Sequence, residues 1–478
     1  MSLPLRSQSA LEYMMTYGWA ILVIVIVAAV LYSLGIFSPS SSLSTTVTGF
    51  ANTPVSSAAF TNNGGLAFSV GDLVGYPIEI TNVTEITASG SKITILPNIT
   101  VSPSQTKVII IPKAFSSSTQ GSHESVSLTI TYTEPGQVFP GPYTSTGTVS
   151  GTTPTLFFPT NQTFAAVSKL TITNSQTTAT PSPFQQMINI TSTSPGWAYI
   201  SQDFGQNVEF FYPNGTVIPS WLENYTSSHA LWWVKVGSIP ASSSITIYMG
   251  FASSSTNLFN NKTTGEATQL SSTYAGYDNG ANVFYVYFNA NTSLSSFTQY
   301  DVSTLSQTTL NGEPVISFSA NSAYGWAGFS NPIPLSFIID GWIYTTQTTS
   351  MVGFVGQAQT SSDSGYLFGG GTGAGDTYVS ITMSNSDALT GLADTGPENE
   401  NSWEYVQVSY NDGDIIISGG NAPQSFSYTA SASDTTYTSG YVGIGESGFS
   451  GYNYYRYMFV RAYPPNGVMP SVTFGSVS

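Results

Sequence analysis

The chain has 478 residues and no cysteine; only 7% of its residues are charged, whereas 13% are aromatic. These values exclude a disordered chain, disulfide bonds and thiolate metal sites. The net charge is −16 and Lys and Arg together number nine, so the basic footprint that nucleic-acid binding requires is missing.

The first predicted element is an apolar helix close to the N-terminus. Residues 14–37 carry no charged side chain, and these 24 residues would extend about 36 Å as a helix at ~1.5 Å per residue. That length is enough to cross a bilayer. Glu12 lies next to the run, separated from it by one residue, and would need a partner in lipid. A helix that is apolar on all sides must be buried in lipid or among other helices.

The segment from Gln8 to Glu12 reads Gln-Ser-Ala-Leu-Glu, and the apolar run follows it. This pattern resembles the N-terminus of archaeal type IV pilin-like proteins with a class III signal peptide. The resemblance implies cleavage by a prepilin peptidase between Ser7 and Gln8. It therefore implies a signal peptide over residues 1–7 and a hydrophobic pilin helix over residues 8–37.

The same resemblance implies roles in assembly for Gln8, Glu12 and Tyr13. The helix would lie in the membrane before assembly and would then pack with other copies into a homopolymeric filament. Two alternatives remain open. A plain membrane anchor fits the length of the run, and a secretory signal peptide would have a shorter apolar core of ~7–15 residues.

Residues 45–152 are predicted to form a β-sandwich head. Alternation with period two and many β-branched residues indicates strands at 77–81, 91–96, 107–111 and 125–132. Closely spaced strands without a long helix are typical of a sandwich. An apolar helix followed by a β-rich head agrees with the pilin resemblance. A stretch rich in Pro, Gly, Ser and Thr places the domain boundary near residue 152.

Residues 156–275 are predicted to be a second β unit. Three patches, 203–210, 218–225 and 231–250, together resemble a domain of unknown function that recurs in prokaryotic surface proteins, commonly just before a lectin-like module. The resemblance implies a β-sandwich and no particular reaction. This unit contains the tryptophans Trp221, Trp232 and Trp233. They are either a platform for a sugar or ordinary core and surface aromatics of a strand, and the second interpretation is favoured.

Residues 276–478 are predicted to form a third β region, with strands at 283–288, 335–344, 403–410, 415–417 and, as the last strand, 455–463. The pattern of this region includes Asp340-Gly341-Trp342, a strand starting at Trp403, the acidic turn Asn411-Asp412-Gly413-Asp414, and Arg461 before Pro464-Pro465. It resembles the concanavalin-A-like lectin and laminin-G-like sandwich. The resemblance implies a lectin-like jelly roll. The fold class predicted for the whole chain is therefore mainly β, with one long N-terminal helix and tandem sandwiches.

Sandwiches of the concanavalin type include glycoside hydrolases, which need two nearby carboxyl groups. Glu398 and Glu400 would share one face of an extended strand, but Pro397 precedes them and the surroundings are typical of a loop. We therefore expect no catalytic residues and no enzymatic activity. His123 and His229 are expected at the surface, and the glycine run 369–375 lacks the Lys-Ser/Thr and helix of a phosphate loop.

Metal sites are not predicted, although Ca²⁺ is a candidate ion because acidic loops with Gly and Asn supply oxygen ligands. The best local candidate is Asn411-Asp412-Gly413-Asp414, with Asp363 and Asp376 in other glycine-rich loops. A hairpin turn explains the Asn-Asp-Gly-Asp sequence equally well.

Eight Asn-x-Ser/Thr sequons are candidate glycosylation sites: Asn82, Asn98, Asn161, Asn189, Asn214, Asn224, Asn261 and Asn291. None follows residue 291, so glycans on these sites would leave the third region uncovered beyond Asn291, as a binding face would need.

The sequence thus predicts a subunit of an archaeal type IV pilus-like filament at the cell surface, with lectin-like domains that bind glycans or other cells. The first alternative is a membrane-anchored surface glycoprotein that does not assemble. The second is a carbohydrate-active enzyme displayed on the surface.

Overall fold

The computed structural model describes residues 45–61, 65–87, 90–112, 121–154, 156–159, 162–200, 202–322, 324–346, 351–370, 378–385, 388–397, 401–447 and 453–477. Ser7, Gln8, Glu12, Tyr13 and the predicted helix 8–37 lie outside these ranges, so they stay predictions. In the described part of the chain, no helix has the length and apolar character needed to cross a bilayer. The chain divides into two compact units, 1–161 and 162–478.

The described part of the first unit consists of strands. They are β1 (Thr46–Gly49), β2 (Val55–Phe60), β3 (Leu66–Gly71), β4 (Ile78–Thr87), β5 (Lys92–Ile95), β6 (Ile99–Val101), β7 (Thr106–Ile111), β8 (His123–Thr133) and β9 (Tyr143–Thr152). The four strands predicted from the sequence correspond to β4, β5, β7 and β8, so these predictions are confirmed. In β8 the alternation works as expected, because Val126, Leu128, Ile130 and Tyr132 are buried between more exposed neighbours.

The first unit is a sandwich of two antiparallel sheets. Sheet A has the order β1-β9-β8-β4-β5, with β6 also paired to β4, and sheet B has the order β2-β3-β7. One core joins them: Leu66 and Phe68 come from sheet B, and Ile80, Leu128 and Ile130 come from sheet A. Burial of these aliphatic and aromatic side chains holds the two sheets together.

The second unit begins with strands β10 (Ala166–Asn174), β11 (Phe184–Thr191), β12 (Val208–Phe211), β13 (Ser220–Tyr225), β14 (His229–Val236), β15 (Ser243–Phe251) and β16 (Thr264–Glu266), with the short helices α1 (Trp197–Ile200) and α2 (Gly280–Val283). It continues with β17 (Val286–Asn289), β18 (Thr298–Tyr300), β19 (Val302–Leu310), β20 (Glu313–Ala320), β21 (Gly325–Ser330), β22 (Ser336–Thr345), β23 (Met351–Ala358) and β24 (Gly365–Gly370). The remaining strands are β25 (Tyr378–Asn385), β26 (Ala388–Pro397), β27 (Trp403–Asn411), β28 (Asp414–Gly420), β29 (Tyr428–Ser433), β30 (Tyr441–Ser447), β31 (Asn453–Ala462) and β32 (Ser471–Val477).

These strands form four sheets. Sheet C has the order β12-β15-β10-β32, and sheet D has the order β11-β14-β13-β16. Sheet E has the order β19-β20-β31-β22-β27-β28-β29, with β17 also on β31, and sheet F has the order β18-β21-β30-β23-β24-β25-β26. The chain is therefore mainly β, as predicted.

The four sheets stack as layers in the order C, D, E, F. Leu170 and Ile247 of sheet C pack with Trp232 of sheet D in one core. A second cluster joins sheet D to sheet E. A third joins sheet E to sheet F through residues such as Phe337 and Phe354. Both faces of sheet D and both faces of sheet E are thus used for packing.

The C-terminal strand departs from the prediction. Strand β31 was expected to be the last strand, but β32 follows it and pairs antiparallel with β10, Ser471 lying opposite Thr173 and Phe474 opposite Leu170. The chain thus returns from the sandwich of sheets E and F to complete sheet C of the sandwich before it. Residues 471–477 do alternate, with Val472 and Phe474 between polar residues, but this short alternation after Pro464 and Pro465 was not assigned to a strand.

Candidate functional site

The interface between sheets D and E holds a polar cluster that we call the junction cluster. It consists of six side chains that are at least nine-tenths buried: Glu223, Trp233, Asp340, Tyr405, Tyr457 and Arg461. Sheet D supplies the first two and sheet E supplies the other four. Its aromatic members, Trp233, Tyr405 and Tyr457, are part of the aromatic packing that joins these sheets.

Glu223 accepts three hydrogen bonds inside this cluster. The indole Nε1 of Trp233 donates to Oε2 at 2.7 Å, and the hydroxyls of Tyr405 and Tyr457 donate to Oε1 at 2.7 and 3.2 Å. Burial, followed by the nearby charge of Asp340, raises the pKa of Glu223 to about 8, although the three hydrogen bonds act in the opposite direction. Burial therefore favours the protonated form of Glu223.

Asp340 forms the charged part of the cluster. Its Oδ2 accepts a hydrogen bond from Nε of Arg461 at 2.8 Å, and its Oδ1 accepts from Nε2 of Gln407 and of Gln424 at 2.7 and 2.9 Å. The guanidinium of Arg461 also lies over the ring of Trp233, 4.5 Å from its centroid. The ion pair joins two strands of sheet E, and the cation–π contact ties sheet E to sheet D.

The junction cluster is closed to ligands, because both Glu223 and Asp340 are fully buried. Two carboxyl groups that share the hydroxyl of Tyr405 would be a candidate acid–base pair in an open site. Here no substrate reaches them, so the arrangement acts in positioning. It fixes how the two sandwiches of the second unit pack.

A second polar site lies further along the same face of sheet E and is open to solvent. We call it the hydroxyl cleft. It has a volume of about 410 Å³ and is lined by Ser409, Asn411, Asp414, Ile415, Ile416, Ser431, Ala432, Ser433 and Tyr463. Strand β27 continues from the junction cluster into the cleft: Tyr405 and Gln407 belong to the first, and Ser409 and Asn411 to the second.

The polar groups of the hydroxyl cleft are held by neighbours within sheet E. Ser433 Oγ donates to Asp414 Oδ1 at 2.8 Å, and Ser336 Oγ donates to Asn411 Oδ1 at 2.8 Å. Asp414 remains exposed and Tyr463 is half-buried at the wall. Hydroxyls, an amide, one carboxylate and an aromatic ring therefore line the cleft, a set that can both donate and accept hydrogen bonds.

The sequence Asn411-Asp412-Gly413-Asp414 forms the hairpin turn between β27 and β28, with Asn411 opposite Asp414. Asp412 has φ 50° and Gly413 has φ 92°, as a two-residue turn with positive φ at both central positions requires. The hairpin interpretation is confirmed. Among the described residues, no group of three or more His, Asp or Glu side chains is placed to hold a metal ion.

The interpretation of Trp221, Trp232 and Trp233 as a platform for a sugar is wrong, because all three rings are fully buried. Trp232 points into the core between sheets C and D, whereas Trp221 and its neighbour Trp233 point into the interface between sheets D and E. The alternative of core aromatics on a strand is confirmed. Alternation along β14 sends adjacent tryptophans to opposite faces of sheet D.

The other predicted sites are distributed over the molecule. His123 is exposed and His229 is partly exposed at the start of β14, as expected. Asp363 is partly exposed near the start of β24 and apart from the hydroxyl cleft. Glu398, Glu400 and Asp376 lie outside the described residues.

Seven of the eight sequons can be located. Asn98, Asn189, Asn214, Asn261 and Asn291 are exposed, Asn82 and Asn224 are partly exposed, and Asn161 lies outside the described residues. The amide of Asn224 lies 3.4 Å from Nε2 of His229, within its own hairpin. None of the seven lines the hydroxyl cleft.

Sequence reasoning missed the cleft almost entirely. It named Asn411 and Asp414 as turn residues, but Ser409, Ser431, Ser433 and Tyr463 carried no signal, because serine on the polar face of a strand is ordinary. It also quoted Asp340 and Arg461 only as parts of a strand pattern, and their ion pair across 121 positions was not predicted.

Comparison with known proteins gives one family match. Residues 204–302 match a domain of unknown function, DUF2341, which confirms the predicted resemblance of the middle region to such a domain. The matched segment includes β13 and β14, which supply Glu223 and Trp233 to the junction cluster, and it ends inside the first strands of the next sandwich.

The chain is also 33% identical over 339 residues to "Uncharacterized protein 562" of Sulfolobus islandicus rod-shaped virus 1. The alignment covers 64% of this chain and 58% of the viral protein, so the chain spans less than two thirds of that relative.

Similar solved structures include the carbohydrate-binding module CBM66 from Bacillus subtilis, with 9% identity, a TM-score of 0.26, and coverage of 36% of this chain and 98% of the module. The mannose-bound exoplasmic domain of VIP36 has 10% identity and a TM-score of 0.25, over 41% of this chain and 93% of that domain. A Bacillus subtilis protein with a galectin-like fold has 11% identity and a TM-score of 0.27, over 37% of this chain and 96% of that protein. Identities and TM-scores this low leave the function of the chain open.

Proposed function

We propose that the chain is a surface-displayed protein whose C-terminal sandwich binds a glycan in the hydroxyl cleft. The observation that carries the proposal is the open cleft itself, which serine hydroxyls, Asn411, Asp414 and Tyr463 line together. A sugar presents hydroxyls that donate and accept hydrogen bonds, and its C–H faces pack on aromatic rings. A concave site with a few convergent polar groups suits such a ligand.

The charges of the cleft narrow the class of ligand. Its single ionisable acid is Asp414, and no Lys, Arg or His lines it. A phosphate, sulfate or uronate would need cationic partners, so the proposed ligand is a neutral saccharide. Asp414 would accept hydrogen bonds from sugar hydroxyls through the oxygen that Ser433 leaves free.

The test is binding of the full chain to an array of neutral glycans, with two matched variants. Asp414→Asn removes the charge that lines the cleft, whereas Asp412→Asn removes an exposed charge two residues away that does not line it. We expect Asp414→Asn to weaken binding by about tenfold or more, since a hydrogen bond to a charged group contributes roughly 1.5–3 kcal/mol and each 1.4 kcal/mol is tenfold. Asp412→Asn should bind as the parent does; equal loss in both variants, or no binding by the parent, contradicts the proposal.

We also propose the finer role of a filament subunit, with the sandwiches projecting from a core of N-terminal helices. Support comes from the sequence alone: the Gln8-to-Glu12 pattern and the apolar run 14–37. The first alternative is an anchored surface protein that does not assemble. Mass spectrometry of the mature N-terminus separates the two, because processing would give a start at Gln8.

The matched variant for the filament is Glu12→Ala. In a processed, assembling pilin this change should abolish surface filaments while leaving the protein in the membrane. An intact start near Met1 together with unchanged surface protein in Glu12→Ala would make the chain a plain anchor.

A non-enzymatic role is part of the proposal. The alternative of a displayed glycoside hydrolase predicts that candidate polysaccharides are cleaved and that Glu398→Gln or Glu400→Gln abolishes the cleavage.

The viral relative adds a second setting for the same role, because a glycan-binding protein could serve on a virus particle as well as on an archaeal cell. Immunogold labelling of cells and particles distinguishes the two.

A further inference from the structure

An open cleft lies where the two sandwiches of the second unit meet, and we call it the seam cleft. It has a volume of about 380 Å³. Strands β11 and β14 of sheet D form its floor, which includes Asn189, Thr191 and Leu231, and Asn189 lies opposite Leu231 in the register of these strands. Residues 423–425, in the loop between β28 and β29 of sheet E, form its wall.

The floor of the seam cleft is a part of sheet D that sheet E leaves uncovered. The side chain of Gln185 is buried and accepts a hydrogen bond from the backbone N–H of Ala462 in β31 at 3.0 Å, so this side of β11 faces sheet E. Alternate residues of a strand share a face. Asn189, four residues further along β11, therefore points the same way, but it is exposed.

The wall of the seam cleft is held in place by the junction cluster. Gln424 has φ 58°, which is uncommon for a residue other than glycine and persists where the surroundings hold it. Its Nε2 donates to Oδ1 of Asp340 at 2.9 Å, and its Oε1 accepts from Nε2 of Gln407 at 3.2 Å. The cleft is thus preformed, which lowers the entropic cost of filling it.

The chain carries a modification signal inside this cleft. Asn189-Ile190-Thr191 is one of its Asn-x-Ser/Thr sequons, and both residues that define the sequon line the seam cleft. Strand β11 is an edge strand of sheet D, so the exposed amide of Asn189 is accessible. Four other exposed sequons line neither the seam cleft nor the hydroxyl cleft: Asn98, Asn214, Asn261 and Asn291.

We infer that Asn189 carries an N-linked glycan whose first sugar fills the seam cleft and contacts both sandwiches. The sequon supplies the occupant, because a sugar on Asn189 begins at an atom of the cleft floor. The inference rests on the surface display in the proposed function, since N-linked glycans belong to secreted and surface proteins.

Attachment of this sugar is a transfer from a lipid-linked sugar phosphate. The bond between C1 of the sugar and a phosphate oxygen of the donor breaks, and a bond between C1 and Nδ2 of Asn189 forms. The amide gives up one proton to a base of the transferase, and the lipid phosphate leaves with the electron pair of the broken bond. No oxidant or reductant is needed.

The surroundings of Asn189 suit a neutral sugar. Among the described residues, no Lys, Arg, Asp or Glu lines the seam cleft. His229 on the floor and Gln424 and Ser425 on the wall can exchange hydrogen bonds with sugar hydroxyls, and Leu231 offers an apolar surface to the C–H groups. Nδ1 of His229 lies 2.9 Å from Oγ1 of Thr226, which fixes the ring.

The covalent bond to Asn189 makes weak contacts effective. A tethered sugar is already confined near the wall, so its hydrogen bonds to Gln424 and Ser425 cost little further loss of freedom. These contacts exist only while sheets D and E are packed together. The glycan therefore stabilises the junction of the two sandwiches.

The first test is glycopeptide mass spectrometry of the full chain made in an archaeal host. Thr191→Val removes the sequon and keeps Asn189, whereas Thr191→Ser keeps the sequon. We expect a sugar on Asn189 in the parent and in Thr191→Ser, and none in Thr191→Val. A parent chain without a sugar on Asn189 would overturn the inference.

The second test locates the sugar by thermal unfolding. Thr191→Val should lower the unfolding midpoint by about 2 °C or more beyond the shift that it causes in a chain made in a bacterial host without N-glycosylation. That second comparison accounts for the hydrogen bonds of the Thr191 hydroxyl to Thr193 and Ser194. Equal shifts in the two hosts would mean that the sugar does not contact the wall, and the inference would be wrong.

Two further variants sharpen the test. Asn261→Gln removes an exposed sequon that does not line the seam cleft, so it should leave the midpoint unchanged. Ser425→Trp places a large ring in the cleft from an exposed position of the wall. It should leave the sugar attached to Asn189 but remove the stabilisation. Full stabilisation in Ser425→Trp would contradict a sugar seated in the cleft.

Failure of this inference can be told apart from failure of the proposed function. Sugars on other sequons, such as Asn261, but not on Asn189 would leave surface display standing and remove the inference. Glycan-array binding by the hydroxyl cleft is scored separately, and Thr191→Val should bind as the parent does. A stabilising sugar on Asn189 in a chain that binds no glycan on the array would keep this inference and remove the hydroxyl-cleft proposal.

Discussion

One face of sheet E carries polar side chains in two regions with opposite surroundings. In the junction cluster, Asp340 and Tyr405 are fully buried beneath sheet D. In the hydroxyl cleft, further along β27, Asn411 and Asp414 face solvent. The comparison teaches that burial beneath sheet D, and not residue type, decides the role of a polar side chain on this face. The buried side chains hold the two sandwiches together, whereas the solvent-exposed side chains are accessible to a ligand.

The largest expected effect comes from breaking the buried ion pair. Asp340→Asn would leave the charge of Arg461 buried and uncompensated, and removal of one partner of a buried pair costs about 3–5 kcal/mol. The half-buried pair between Arg456 and Glu313, at 2.7 Å, is the matched control, because Glu313→Gln should cost at most about 1 kcal/mol. Urea unfolding of both variants measures the difference. An equal loss in the free energy of unfolding would show that burial beneath sheet D does not strengthen the effect.

The next effect is a dependence of stability on pH. Burial raises the pKa of Glu223 and of Glu404 to about 8, from an ordinary value of 4.5. Between these values the folded chain holds protons that the unfolded chain has lost, so the free energy of unfolding falls as pH rises. Each group should contribute a slope of roughly 1.4 kcal/mol per pH unit.

Unfolding midpoints at pH 5, 6, 7 and 8 measure this slope. Glu223→Gln and Glu404→Gln mimic the protonated acid and should each flatten the slope, whereas Glu313→Gln should leave it unchanged. A free energy of unfolding that rises with pH over this window would mean that the buried acids are ionised and paired.

A smaller effect is expected at the turn that closes the hydroxyl cleft. Gly413 has φ 92°, and a Cβ there would lie 2.5 Å from Cγ2 of Thr435 and 2.8 Å from the carbonyl oxygen of Asp434. Gly413→Ala should therefore destabilise the fold by about 1–2 kcal/mol. Thermal unfolding compared with Gly312→Ala, at φ 87° with open space around its Cβ position, separates the crowding from the backbone strain.

The smallest effect on stability is expected inside the cleft itself. Ser433→Ala removes an exposed hydroxyl and its hydrogen bond to Asp414, and surface changes of this kind stay within about 0.5 kcal/mol. Glycan binding should nevertheless weaken, because the orientation of Asp414 is lost. A large loss of stability in Ser433→Ala would instead mean that the side chains of the cleft stabilise sheet E.

Much of the strand pattern could be predicted from sequence, whereas the sites could not. Alternation in 125–132 identified β8, and Asn-Asp-Gly-Asp identified the turn at 411–414. Period two assigns a side chain to a face of a strand but does not say what covers that face. Whether Asp340 is buried and Asp414 is exposed depends on where sheet D ends over sheet E, which is a property of the tertiary fold.

The same limit explains the tryptophans. Trp232 and Trp233 are adjacent and chemically identical, yet they belong to two different cores. The pairing of Glu223 with Tyr405 joins positions 182 residues apart, and no local pattern in a single sequence reports such a contact.

The return of β32 to sheet C has a consequence for how the chain folds during synthesis. Strand β10 emerges from the ribosome long before its partner β32, and the whole sandwich of sheets E and F lies between them in the chain. The earlier of the two sandwiches is therefore completed only after the later one has been synthesised, when residues 471–477 emerge. A nascent chain that stops before Ser471 would present an unpaired edge of β10, and unpaired edges promote association with other chains.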